Sequence, residues 1–273
     1  MSRARSTTVR EWLSPPPSTT AVIDDPRARR LVVTEILVVL TVTLGLSAAR
    51  SALSLLDAVL QPIPLAEQQV ALNAPAAQVG LVDLAVQLTR VLQLVGWGAL
   101  GAYLLIRGGI ALRAVGLDRD RPVSDAVRAV GLAALIGVPG LGLYFVARTL
   151  GVSVTIAAST LTDTWWQLPV LIVSAAANGW AEEVVMVAYL ITRLRQLGWS
   201  ENRSLGAQAL LRGAYHLYQG IGAFVGNVIM GVIFGLFYVR FKRVLPLVIA
   251  HAILDVVSFV GYALLKDRLT FLS

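Results

Sequence analysis

Long apolar runs follow one another along the chain, separated by short polar or Pro/Gly-containing connections. They cover roughly Leu31–Leu56, Val82–Ile106, Ala126–Phe145, Leu168–Leu190, Leu205–Gln219, Ile221–Val239 and Leu245–Leu265. About 20 helical residues cross a hydrocarbon layer of ~30 Å, and most of these runs are long enough. The pattern predicts an all-α polytopic transmembrane bundle of about seven spans. The fifth run is short and meets the sixth through the tight turn "QGIG". Pro139 in "GVPGLG" is expected to kink or break the third helix. Residues 1–30 are polar, Arg-rich and interrupted by "SPPPSTT", which reads as a disordered tail. The first apolar run lies too far from the N-terminus and is too long for a cleaved signal peptide, so it reads as a signal anchor. The expected division is a tail over 1–30, N-terminal transmembrane helices over 31–165 and a C-terminal core over 166–273.

Composition agrees with a membrane solvent: 56% of the 273 residues are hydrophobic and 14% charged, with a mean hydropathy of +0.72. The net charge of +7 does not form a nucleic-acid-binding stripe. Its arginines gather between the apolar runs, in "RARR", "RGGIALRAVGLDRDR", "RLRQLGWSENR" and "RFKR", whereas Asp57–Gly80 and Thr149–Gln167 hold no Lys or Arg. By the positive-inside rule the tail is cytoplasmic, in a multi-pass protein of the cell membrane. Lys266 and Arg268 depart mildly from that rule, and "TDTWW" reads as an interfacial aromatic belt. The lipid bilayer is the expected partner, and nucleic acid is not. The absence of cysteine excludes disulfides, thiolate ligands and a cysteine nucleophile. No internal repeat supports an inverted-repeat transporter.

Three runs carry ionisable groups that spans normally avoid. Glu182 and Glu183 lie in the fourth, Arg212 and His216 in the fifth, and His251 and Asp255 in the seventh. Each of the last two pairs is four residues apart, on one helical face about a turn from each other. Counting ~1.5 Å per residue from the nearest flanking arginine places Glu182 roughly 16 Å, His251 roughly 12 Å and His216 roughly 20 Å into the layer. All could line one cavity. A single intramembrane pair is commonly a packing contact, but a set holding two carboxylates, both histidines of the chain and a further acid points to a site. Arg50 is expected to snorkel to the interface from the end of the first span. Gln87 and Arg90 read as interfacial or buried partners, Tyr215 and Tyr218 as packing residues, and "GVIFG" as a small-residue packing stripe.

A glutamate at low dielectric can act as a general base or acid near neutral pH, with a histidine sharing its water. Glu182, His216 and His251 could instead hold a divalent metal such as zinc. Either way the reaction class is attack of water on a polar bond, with a protein or peptide as the leading substrate.

The order of these residues resembles the CPBP group, the CAAX prenyl proteases and bacteriocin-processing enzymes, which are intramembrane endopeptidases. The resemblance covers roughly Gln167–Leu265: paired Glu182 and Glu183, then His216, then His251 and Asp255 in the spacing "HAILD". It implies that Glu182 with His216 activates water and that His251 with Asp255 holds the oxyanion. Val187 stands where the first motif has Arg, Arg212 where the second has Phe, and Asp255 where Asn is commoner. The exchange at Val187 and Arg212 suggests a cation moved between helices, with Arg212 reaching Glu183. A catalytically silent scaffold or immunity protein, or a proton-coupled transporter, would use the same intramembrane charges differently.

Overall fold

The computed structural model describes residues 20–161 and 164–265. It consists almost wholly of helices: α1 (Pro26–Val42), α2 (Leu44–Leu60), α3 (Gly80–Arg107), α4 (Pro122–Thr149), α5 (Gln167–Gln196), α6 (Glu201–Ala214), α7 (Ile221–Phe241) and α8 (Leu245–Leu265). Among the described residues five helices are long and apolar enough to cross a membrane, or six if α1 and α2 form one bent span. The polytopic all-α bundle is therefore present.

Two of the seven runs take a different form. The first is divided at Thr43, where α1 and α2 meet at 50°. The fifth is represented by α6, 14 residues long and too short to cross, which starts on the Ser200 cap and ends at Ala214. After it come a 3-10 turn at Leu217–Gln219 and the Gly220 turn. Pro139 does not break α4, which runs on from Pro122 to Thr149. Within the stretch expected to form the tail, α1 begins at Pro26. Asp25 caps α1, accepting from the Ala28 amide at 2.8 Å with Pro26 in the first turn, and Ile23 N donates to Gln196 O at 2.9 Å. Residues 1–19 lie outside the described residues, as do Thr162, Asp163, Lys266 and Arg268. Of the expected aromatic belt, Trp165 is exposed while Trp166 is buried in a cluster with Leu171 and Phe259.

At the centre stands α5, packed against α3 and α8 along its length and against α6 and α7 near its end. From Ala181 to Ile191 every residue is at most 8% exposed. An all-round apolar helix belongs in the middle of a bundle. Its segment Glu183–Leu190 is a π-helix, a wider turn with one extra residue per hydrogen-bonded ring. Gly179 lets α8 come close: a Cβ there would lie 2.7 Å from Val248 O and 3.3 Å from His251 Cβ.

The connections sort onto two faces. The two Lys/Arg-free ones are joined by a short parallel pairing, Gln69–Ala71 with Thr155–Ala157. The Arg-rich ones are joined by Arg243, which clamps Asp118 at 2.9 Å and Asp125 at 2.5 Å. That segregation is what a membrane-spanning bundle with alternating loop charge requires.

Candidate active site

Three helices bring their ionisable side chains to one point. Glu182 and Glu183 come from α5, at the start of the π-segment. Arg212 comes from the last turn of α6, Tyr215 and His216 from the break behind it, and His251 and Asp255 from the middle of α8. The break is fixed by its own backbone. Gly220 adopts φ +101°, a conformation that disfavours side chains. Its neighbour Ile221 donates to Val152 O at 2.9 Å, tying the turn to the end of α4.

Glu183 is fully buried and bound on one oxygen from two sides. Arg212 Nη2 donates to its Oε1 at 2.7 Å, and His251 Nδ1 lies 2.7 Å from the same atom. A carboxylate oxygen only accepts, so the proton on that imidazole nitrogen is assigned to Nδ1. Arg212 is itself fully buried, below the Phe234 ring at 5.9 Å. The guanidinium therefore neutralises Glu183 from the neighbouring helix.

Glu182 is held more lightly. Tyr215 donates its hydroxyl to Oε2 at 2.6 Å. Arg212 Nη1 stands 3.5 Å from the same oxygen, near enough for an ion pair but not aligned as a hydrogen bond. His251 Nε2 is 3.9 Å away. With 10% of its side chain exposed, Glu182 keeps an open side that Glu183 lacks.

His216 is half-buried, with Nδ1 3.0 Å from Arg212 O. A carbonyl accepts only, so Nδ1 is assigned as the donor, which leaves the Nε2 lone pair free. Electrostatically it couples to Glu182, Arg212 and His251, although it shares no direct hydrogen bond with the glutamate. Asp255 Oδ2 lies 3.8 Å from His251 Nε2 and accepts from Asn178 Nδ2 at 3.2 Å.

The expected residues thus converge, and two that sequence reasoning set aside or passed over join them. Tyr215, read as packing, is a direct partner of Glu182. Asn178, which went unremarked, is four residues before Glu182 on the same face and tied to Asp255. Its spacing was the available signal.

The metal alternative finds no support in the arrangement of these side chains. Among the described residues no group of three or more His, Cys, Asp or Glu side chains has the arrangement to hold a metal ion. Arg212 already places a positive charge beside both glutamates, 2.7 Å from Glu183 Oε1 and 3.5 Å from Glu182 Oε2. Arg50 lines an open cleft with Tyr215 and Tyr218. Glu35 is a partly buried partner of Arg193 at 2.9 Å, and Gln87 donates to Asp83 at 3.1 Å.

Comparison with family models matches residues 164–257 to the description "Type II CAAX prenyl endopeptidase Rce1-like". No curated protein and no solved structure matches the chain. The matched stretch runs from just before α5 into α8 and holds the whole cluster from Asn178 to Asp255. Over that stretch the chain is similar to the type II CAAX prenyl endopeptidase family, the resemblance that its own motifs carry.

Proposed function

We propose that the chain is an intramembrane endopeptidase in which Glu182 activates the water that attacks a peptide bond. One observation carries the assignment: of two adjacent glutamates, Glu183 is consumed by Arg212 and His251, while Glu182 keeps a partly exposed side and interacts electrostatically with His216. Water between Glu182 and His216 gives up a proton as its oxygen bonds to the carbonyl carbon. The bond to nitrogen then breaks, and the same proton passes to the leaving amine. Tyr215 holds the Glu182 carboxylate in orientation.

The tetrahedral oxyanion needs donors, and ionised Asp255 accepts only. Asn178 supplies the missing group. One amide hydrogen goes to Asp255, and the second is the available donor on a residue one turn before Glu182 on the same face of α5. Asp255 acts as the positioning residue for that amide.

The test is a comparison of wild type and Glu182→Gln, reconstituted in liposomes with a pool of membrane-spanning peptides and read by mass spectrometry of new termini. Wild type yields products, and Glu182→Gln loses at least ~100-fold in rate while inserting normally. Equal cleavage by both proteins would move the assignment to a non-catalytic scaffold.

A further inference from the structure

The candidate catalytic cluster has a neighbour built partly from α2, which lies outside the matched segment. Ser47, Arg50, Ser51 and Ser54 of α2, with Tyr215 and Tyr218 of the break, line an open cleft of about 230 Å³. The α2 positions recur every three or four residues and form one stripe of that helix. Tyr218 N donates to Ser51 Oγ at 2.7 Å, which fixes α2 against the break. Since Tyr215 also binds Glu182, the cleft lies one side chain from the open carboxylate.

Arg50 is the unexplained member. It sits within a helix of Leu, Ala and Ser, is exposed, and has no hydrogen-bond or ion-pair partner among the described residues. The only acid on its helix, Asp57, is seven residues on, roughly 10 Å along the axis. An arginine within a span costs ~2.5–3.5 kcal/mol on insertion scales, so an unpaired one calls for a polar destination. Here the destination is the cleft, whose lining offers a guanidinium, three serine hydroxyls and tyrosine edges but no carboxylate. Such a lining is complementary to an anion.

We propose that this cleft anchors the peptide substrate and that Arg50 binds a carboxylate of it. The carboxylate is either the C-terminal one or that of an acidic side chain. A guanidinium pairs a planar carboxylate through two parallel hydrogen bonds, and the tyrosine rings wall the apolar residue beside it. Its place one side chain from Glu182 favours the substrate peptide over a lipid headgroup as the occupant. Identification of the ligand as a peptide rests on the hydrolase reading; the anion subsite itself does not.

Binding is therefore measured apart from cleavage. Three fluorescent pools of random apolar peptides serve as probes: free C-terminal acid, C-terminal amide, and amide with one internal Glu. Fluorescence anisotropy follows their binding to the full chain in neutral detergent, using wild type, Glu182→Gln, Arg50→Gln and Arg50→Lys. Wild type and Glu182→Gln should bind one or both acidic pools about tenfold or more tighter than the neutral pool. The preferred pool identifies the source of the carboxylate. Arg50→Gln should abolish the preference while keeping affinity for the neutral pool, which also reports that the protein is folded. Arg50→Lys should recover part of it. Equal affinity for all three pools, or a preference that survives Arg50→Gln, overturns the proposal. So does loss of the preference on adding phosphatidylglycerol to the micelles, which would assign Arg50 to lipid phosphate. If wild type shows the preference but cuts none of the peptides, the hydrolase reading fails and the subsite stands.

Discussion

At the scale of single residues, the division of labour between Glu182 and Glu183 depends on Arg212. Removing one partner of a buried ion pair commonly costs about 3–5 kcal/mol, because the charge left behind loses both water and counter-ion. Arg212→Phe, which restores the residue common in the family motif, should therefore lower the melting temperature in detergent and abolish cleavage. Adding Val187→Arg should recover much of both, since position 187 is buried in the same π-segment as Glu183. A single variant as stable and active as wild type would show that Glu183 does not need this cation. Tyr215→Phe makes a milder case: loss of one hydroxyl to a charged group should lower kcat ~10-fold or more and leave the fold intact. Both carboxylates, both histidines and the arginine were legible in the sequence because each interrupts an apolar run. Tyr215 was not, because a tyrosine in such a run is usually packing and only its hydroxyl distinguishes the two uses.

At the scale of elements, the link between α7 and α8 is held by electrostatics at the Arg-rich face. Arg243 hydrogen-bonds Asp118 and Asp125 together, and this contact holds the Asp118 carboxyl below its ordinary range. A carboxylate with a depressed pKa contributes stability that is present above its unfolded value and is lost as pH falls through the folded one. Wild-type melting temperature should therefore fall on acidification below about pH 4, and Asp118→Asn should lose part of that dependence. An unchanged acid profile in Asp118→Asn would mean that the clamp is not formed. The clamp escaped sequence reading because its partners are far apart in the chain and looked like ordinary topogenic charges. The shortness of α6 was also hard to read, since apolar residues continue past Ala214 into a turn that only Gly220 betrays.

Across the whole molecule, the faces with and without Lys and Arg give a topology that can be tested directly, because the chain has no cysteine of its own. Single cysteines at Asp120 and at Glu67 should react with a membrane-impermeant maleimide from opposite sides in inside-out and right-side-out vesicles. The positive-inside rule places Asp120 on the cytoplasmic side together with the N-terminus. Labelling of both from one side would refute that arrangement. Hydropathy disclosed the membrane bundle and the order of its spans. It could not disclose the bend at Thr43, where apolar character continues unbroken through a change of direction, or the role of α2 as a wall of the cleft.

The π-segment of α5 carries a consequence of its own. Its wider turns set the angular phase between two functional ends of one helix: Glu182, facing Tyr215 and Arg212, and Arg193, facing Glu35 and Leu104 O. An α-helix advances about 100° per residue, so deleting one residue between them would turn one end out of step with the other. Either the glutamates would leave the α6–α8 junction or Arg193 would leave α1. The length of Glu183–Leu190 is thus a setting that substitution cannot reach, and a deletion of Val185 should be far more damaging than any apolar exchange at the same place.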